Sequence, residues 1–152
     1  HLKHPYLMND QAQLFARCQI PCQQALIHIE GLSRQAFTKR PQEFRPLLLQ
    51  AVELKKQYHQ MKLHKFQPLQ KIQIDPVLGY ILHLRKGSVY LGLDQFRSRL
   101  LRVHKTMGYL RKKGFSSFHY IFANQKHHPE RLTLRLYEPL ALQQKTANRE
   151  VP

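Results

Sequence analysis

The stretch from Tyr80 to Leu136 constrains the fold more than any single residue, because it reads as a hairpin, a long amphipathic helix and two further strands, in that order. Tyr80, Leu82 and Leu84 alternate with Ile81, His83 and Arg85, and Val89 to Leu91 answers as a second strand across a turn at Arg85-Lys86-Gly87-Ser88. Leu91-Gly92 closes the hairpin. Asp94 is a suitable N-cap, and Phe96, Leu100, Val103, Met107 and Leu110 then recur at spacings of four and three, the stripe of a helix laid on a sheet. Gly114 is a suitable stop. Beyond it, Phe118, Tyr120 and Phe122 share one face of a strand, Asn124 to Glu130 is a polar loop, and Leu132, Leu134 and Leu136 alternate with Arg131, Thr133, Arg135 and Tyr137 as a half-buried strand.

Upstream, Tyr6-Leu7-Met8, Asn9-Asp10-Gln11 and Leu14-Phe15-Ala16 read as a strand, a tight turn and a returning strand, since Asn and Asp tolerate turn dihedrals. Leu26 to Glu30 alternates as a short strand ending at Gly31 and leading into a loop. Phe44, Leu47, Leu48, Ala51, Val52 and Tyr58 then predict a helix, with Pro41 before it and Pro46 in its first turn. Lys71 to Ile74 is a short strand broken by Asp75-Pro76 and Gly79. From Glu138 to Pro152 the chain is polar and aperiodic and reads as a frayed tail. Two principal helices among roughly eight short strands make an α+β domain, a largely antiparallel sheet with helices packed on it, over residues 1–137. Its last strand falls at a sheet edge, which must be blunted by charge or paired by something.

At 152 residues and 42% apolar content the chain is one domain with one core. No run reaches the roughly 18 to 20 apolar residues that span a bilayer, and the first residues show no apolar h-region with a cleavage site. It begins at His1, as a trimmed or processed protein would, with an upstream segment expected. Lys and Arg number 25 against 9 Asp and Glu, a formal net charge of +16 that attracts polyanions. The densest cluster, Arg97, Arg99, Arg102, Lys105, Arg111, Lys112 and Lys113, reads as a solvated helix face ahead of a nucleic-acid groove. Cys18 and Cys22 allow either a local disulfide or two free thiols.

Little chemistry is visible. The acidic residues are scattered without a shared motif spacing, and six glycines supply neither a phosphate-cradling loop nor a nucleophile elbow. No nucleophile with a matched base can be named, so an enzyme is not expected, and neither is a cofactor, a metal or a small-molecule substrate. Ten histidines are present, densest at His127-His128 beside Glu130, and they read as exposed polar spacers, as do His59, His64 and His83. Phe118, Tyr120 and Phe122 fit core packing better than a base-stacking platform.

The succession Tyr80-Ile81-Leu82-His83-Leu84-Arg85-Lys86-Gly87-Ser88-Val89-Tyr90-Leu91-Gly92, the Asp94 to Lys113 helix and the two closing strands resemble the C-terminal extracytoplasmic β-domain of the bacterial cell-division family FtsQ/DivIB. Tyr6 to Arg17 resembles the family's opening strand, acidic turn and strand, and Ile29-Glu30-Gly31-Leu32 its short Gly-Leu loop. Phe44 to His59 stands at its first β-domain helix, and Lys71 to Ile74 at the strand before the hairpin. Where many members carry an Asp-Leu-Arg-Tyr-like run, this chain has His119-Tyr120-Ile121-Phe122, so only the aromatic at Phe122 is kept. The resemblance implies a non-enzymatic divisome scaffold, the periplasmic part of an inner-membrane protein whose cytoplasmic tail, transmembrane helix and POTRA domain would lie upstream. It further implies partners of the FtsB and FtsL type, with a strand of FtsB added to the last strand by β-augmentation. Mapped here, the partner-binding residues are Phe122, Arg131, Thr133, Arg135 and Tyr137, and proline at Thr133 is expected to remove a ladder donor. The rival reading, a basic nucleic-acid-binding module, rests on the net charge and the aromatic strand.

Overall fold

The computed structural model describes residues 6–18, 27–125, 127–128 and 130–137. The elements are β1 (Tyr6–Met8), β2 (Leu14–Arg17), β3 (His28–Glu30), α1 (Arg34–Lys39), α2 (Pro41–Gln60), a 3-10 turn (Leu63–Lys65), β4 (Leu69–Asp75), β5 (Gly79–Leu84), β6 (Gly87–Gly92), α3 (Phe96–Lys112), β7 (Tyr120–Phe122) and β8 (Thr133–Arg135). The tail expected from Glu138 onward and Cys22 lie outside the described residues, while Cys18 takes part in a disulfide.

β3 to β8 form one sheet in sequence order, and β1 and β2 form a separate hairpin. The centre is the meander β4, β5 and β6, antiparallel throughout, with Leu84 opposite Gly87 across the tight turn. The flanking pairs β3 with β4 and β6 with β7 are parallel, and β7 with β8 returns to antiparallel. A parallel neighbour requires a crossover, and α1 with α2 supplies one while α3 supplies the other. The domain is therefore α+β with a mixed, mostly antiparallel sheet. Both long helices cover the same face: Leu48, Ala51, Leu54 and Tyr58 of α2 and Leu100, Val103, Met107 and Leu110 of α3 join Ile72, Leu82, Val89, Leu91 and Ile121 in one core.

The structure corrects several details. α2 begins at Pro41, so this proline is the first helical residue, where its missing N–H costs nothing, and Pro46 sits in the second turn. The short α1, capped by the Ser33 hydroxyl on the Ala36 N–H, was hidden by a stretch with one weak apolar face. Asp94 does not cap α3. Gln95 precedes the helix with φ +52, and Asp94 turns back to pair with Arg99 at 2.7 Å. Arg99, expected on the solvated face, is only 4% exposed. The end of α3 is as expected: Gly114, at φ +85, donates to Arg111 C=O and Phe115 donates to Leu110 C=O, the two bonds of a Schellman cap. Phe118 is buried but precedes β7, and Ile121 is the core residue of that strand.

Two buried polar side chains tie the layers together. Arg99 Nη1 donates to the Leu91 carbonyl and, at 3.1 Å, to Asn124 Oδ1, joining the ends of β6 and β7 to the start of α3. Gly92 makes room for it, since a Cβ there would fall 2.4 Å from the Arg99 guanidinium and the Asn124 amide. At the opposite end Gln67 bonds the Lys86 backbone and the Ser116 carbonyl. Tyr58 donates to Gln67 C=O at 2.7 Å, and burial pushes its phenol well above the usual tyrosine range.

Arg99→Met strands the Leu91 and Asn124 acceptors and is expected to cost about 2 to 4 kcal/mol. Asp94→Asn, at a side chain 71% exposed, is expected to cost about 1 kcal/mol or less. Urea unfolding of the two variants checks the order, and equal losses would place the energy in the ion pair instead.

Candidate functional site

The sheet face away from the helices carries two cross-strand rows fixed by the register. One runs Lys71, His83, Ser88, Tyr120, Arg135, and the other Gln73, Ile81, Tyr90, Phe122, Thr133. Tyr120 and Phe122 thus lie on this face, opposite to the core position expected for them, because the strand's core position falls on Ile121 and the period of two sends its neighbours outward. Tyr90 packs edge-on to Tyr120 at 6.2 Å and tilted to Phe122 at 5.7 Å. With Gln125 and Thr133 these three rings line an open groove beside the last strand.

β8 is a terminal strand of the sheet among the described residues. Its backbone orientation follows from β7. Ser88 N–H donates to His119 C=O and Ala123 N–H to Tyr90 C=O, which in a parallel ladder directs the Ile121 amide groups toward β6. Those of Tyr120 and Phe122 point the other way and pair with Arg135 and Thr133, so the Leu134 N–H and C=O face the open edge. The Thr133 N–H is therefore spent inside the sheet. Proline at Thr133 would break the β7 to β8 pairing itself rather than the outer edge, a correction that only the ladder direction reveals.

Arg131, Thr133, Arg135 and Tyr137 are all exposed, while Leu132, Leu134 and Leu136 pack against the core, so the predicted alternation holds on either side of a strand only three residues long. Register brings Phe122 beside Thr133. The Thr133 hydroxyl accepts from Gln125 Nε2 at 2.5 Å, and the Tyr137 ring sits 3.7 Å from that of His119. Arg131 stands 3.8 Å from Glu130, which also meets His128 at 3.4 Å. The structure thus places all five anticipated residues around one edge and one face. Tyr90, Tyr120 and Gln125 complete the groove and were missed, although the alternation of Ser88 and Tyr90 with Val89 and Leu91 already set Tyr90 outward.

Among the described residues no three His, Cys, Asp or Glu side chains converge as a metal site. His59 and His64 stack on each other at 5.0 Å. His83 lies on the face away from the helices, in the same row as His28 and Lys71: Nε2 lies 2.9 Å from Gln73 Oε1 and Nδ1 3.1 Å from Ser88 Oγ, with the Lys71 and Glu30 ion pair one strand away. Known protein families include no match to this chain, and no curated protein matches it significantly.

Partial burial, and secondarily Lys71, lowers the His83 pKa, with Glu30 opposing. The folded state therefore favours the neutral ring. Its contribution is full above the unfolded histidine value of about 6.5 and is lost as pH falls toward the lower folded value. Thermal unfolding is expected to show Tm declining on acidification through that window, and His83→Gln is expected to flatten the slope there.

Proposed function

We propose that this domain is a non-enzymatic scaffold that docks an extended segment of a partner protein by strand addition to β8, as the FtsQ/DivIB resemblance implies for partners of the FtsB and FtsL type. The observation that carries it is the Leu134 backbone, whose donor and acceptor face outward on a terminal strand. In this reading main-chain bonds supply affinity, and side chains of the added strand meet Arg131, Thr133, Arg135 and Tyr137, with the Tyr90, Tyr120 and Phe122 groove beside them. The cationic rim suits an acidic partner. Placement in the cell follows the same resemblance: a periplasmic domain of an inner-membrane protein of the divisome.

A specific observation supports a second reading, a nucleic-acid-binding module. The rings of Tyr90, Tyr120 and Phe122 lie half-buried on the sheet face away from the two long helices, in a chain with a net charge of +16. Against it, these rings pack edge-on or tilted against one another, which occupies part of the surface a base would stack on.

Leu134→Pro removes the outward donor, and Leu134→Ala keeps it while losing the same packing. Calorimetric titration with FtsB- and FtsL-type periplasmic segments is expected to show binding lost in the proline variant and retained in the alanine variant. Equal binding by both folded variants would end the strand-addition reading. A random oligonucleotide titrated alongside at about 150 mM salt separates the second reading, since nonspecific electrostatics are partly screened there.

A further inference from the structure

Three stretches distant in sequence meet at the end of the domain that holds the β5 to β6 turn. Gln67 joins them: its Nε2 donates to Lys86 C=O at 3.2 Å and to Ser116 C=O at 3.1 Å, and its Oε1 accepts from Lys86 N–H at 2.8 Å. Each stretch brings exposed cations. The 3-10 turn supplies Lys62 and Lys65, the hairpin turn Arg85 and Lys86, and the end of α3 Arg111, Lys112 and Lys113. Between Glu53 and Glu130 the only carboxylates are Asp75 and Asp94. Both stand at the other end of the sheet, beside Gly79 and Gly92, and Asp94 is taken by Arg99. Among the described residues none of these cations has a carboxylate within ion-pair distance.

An apolar cleft opens amid this charge. Phe66, Met107, Leu110, Phe115 and Phe118 line a cavity of about 260 Å³, with Lys65 and Arg111 at its lip. The Arg111 guanidinium lies 5.8 Å above the Phe66 ring. Phe115 is 38% exposed and Tyr109, under Lys113 at 5.7 Å, is 60% exposed. Cations ringing exposed aromatic and aliphatic surface are the composition of an interfacial membrane contact.

We propose that this pole binds the surface of an anionic lipid bilayer, with the lysines and arginines on headgroup phosphates and Phe115 and Tyr109 at the boundary with the acyl chains. Nucleic acid fits less well. Phe118 is buried, Phe66 is covered by Arg111 and by the His104 ring at 5.2 Å, and Met107 and Leu110 offer a base neither a stacking plane nor a hydrogen bond. The site uses residues other than those of β8 and stands whether or not a partner strand docks there.

The test is flotation of the full chain with phosphatidylcholine vesicles, with and without phosphatidylglycerol, at about 150 mM salt. Binding is expected only with the anionic lipid. Joint replacement of Lys65, Lys112 and Lys113 by Gln is expected to lower partitioning about a hundredfold, at roughly fivefold per cation. Removing the same charge around α1, by Gln at Arg17, Lys39 and Arg40, is expected to change it far less. Phe115→Ser, which leaves the charge intact, is expected to weaken binding to vesicles but not to a single-stranded oligonucleotide. Absence of binding to anionic vesicles overturns the proposal. So does an equal loss in the two triple variants, or an oligonucleotide affinity that depends on the same three lysines while vesicle binding is indifferent to Phe115. Circular dichroism of each variant verifies that it is folded.

Discussion

The guanidinium of Arg99 is the constraint on which the arrangement of the layers depends. It lies almost wholly out of water, yet its charge is balanced by one carboxylate that remains largely hydrated, together with a strand-end carbonyl and an amide beyond the neighbouring strand. Burial of such a group is tolerable only where the acceptors are already in place. The position of α3 on the sheet, the left-handed residue before it and the glycine that ends β6 are therefore one linked solution. Each of these features is arbitrary in isolation, and each is required once the guanidinium is inside.

Gln67 performs the corresponding task at the far end with a neutral group. Both ties join the helical layer to one face of the sheet, and neither long helix covers the other face. That asymmetry is what creates surface for recognition. It leaves the row from Lys71 to Arg135 polar and the row from Gln73 to Thr133 aromatic in its middle. Among the described residues it also leaves β8 with one paired side and one side whose backbone groups need a partner or water.

The elements with strong periodicity were legible from the residues alone. The β5 to β6 hairpin, the apolar stripe of α3 and the alternation from Arg131 to Tyr137 each repeat often enough for the period to be unambiguous. The short α1 has too few turns for that. Phe118 is in the core as expected but precedes the strand, whereas Tyr120 and Phe122 misled because alternation shows that residues share a face without showing which face is inside, and the deciding residue, Ile121, is outnumbered by larger rings. Arg99 and Asp94 misled for a different reason. Charge at a helix start reads as capping and solvation, and only the tertiary arrangement supplies the buried acceptors that reverse it. The candidate site was visible as a polar edge, whereas the direction of its hydrogen bonds depends on the parallel pairing of β6 with β7, which no local pattern encodes.

The order of strands carries a kinetic consequence. The meander of β4, β5 and β6 closes through tight turns at low loop entropy, whereas β3 and β7 join it only after whole helices have been laid down between them. β8 attaches through β7 and so inherits that delay. The terminal strand is thus the outermost link in a series of pairings, short in length and dependent on every link before it. Native-state opening is then cheapest at that margin, and the strand best placed to accept a ladder from another chain is the one whose own ladder is held least firmly.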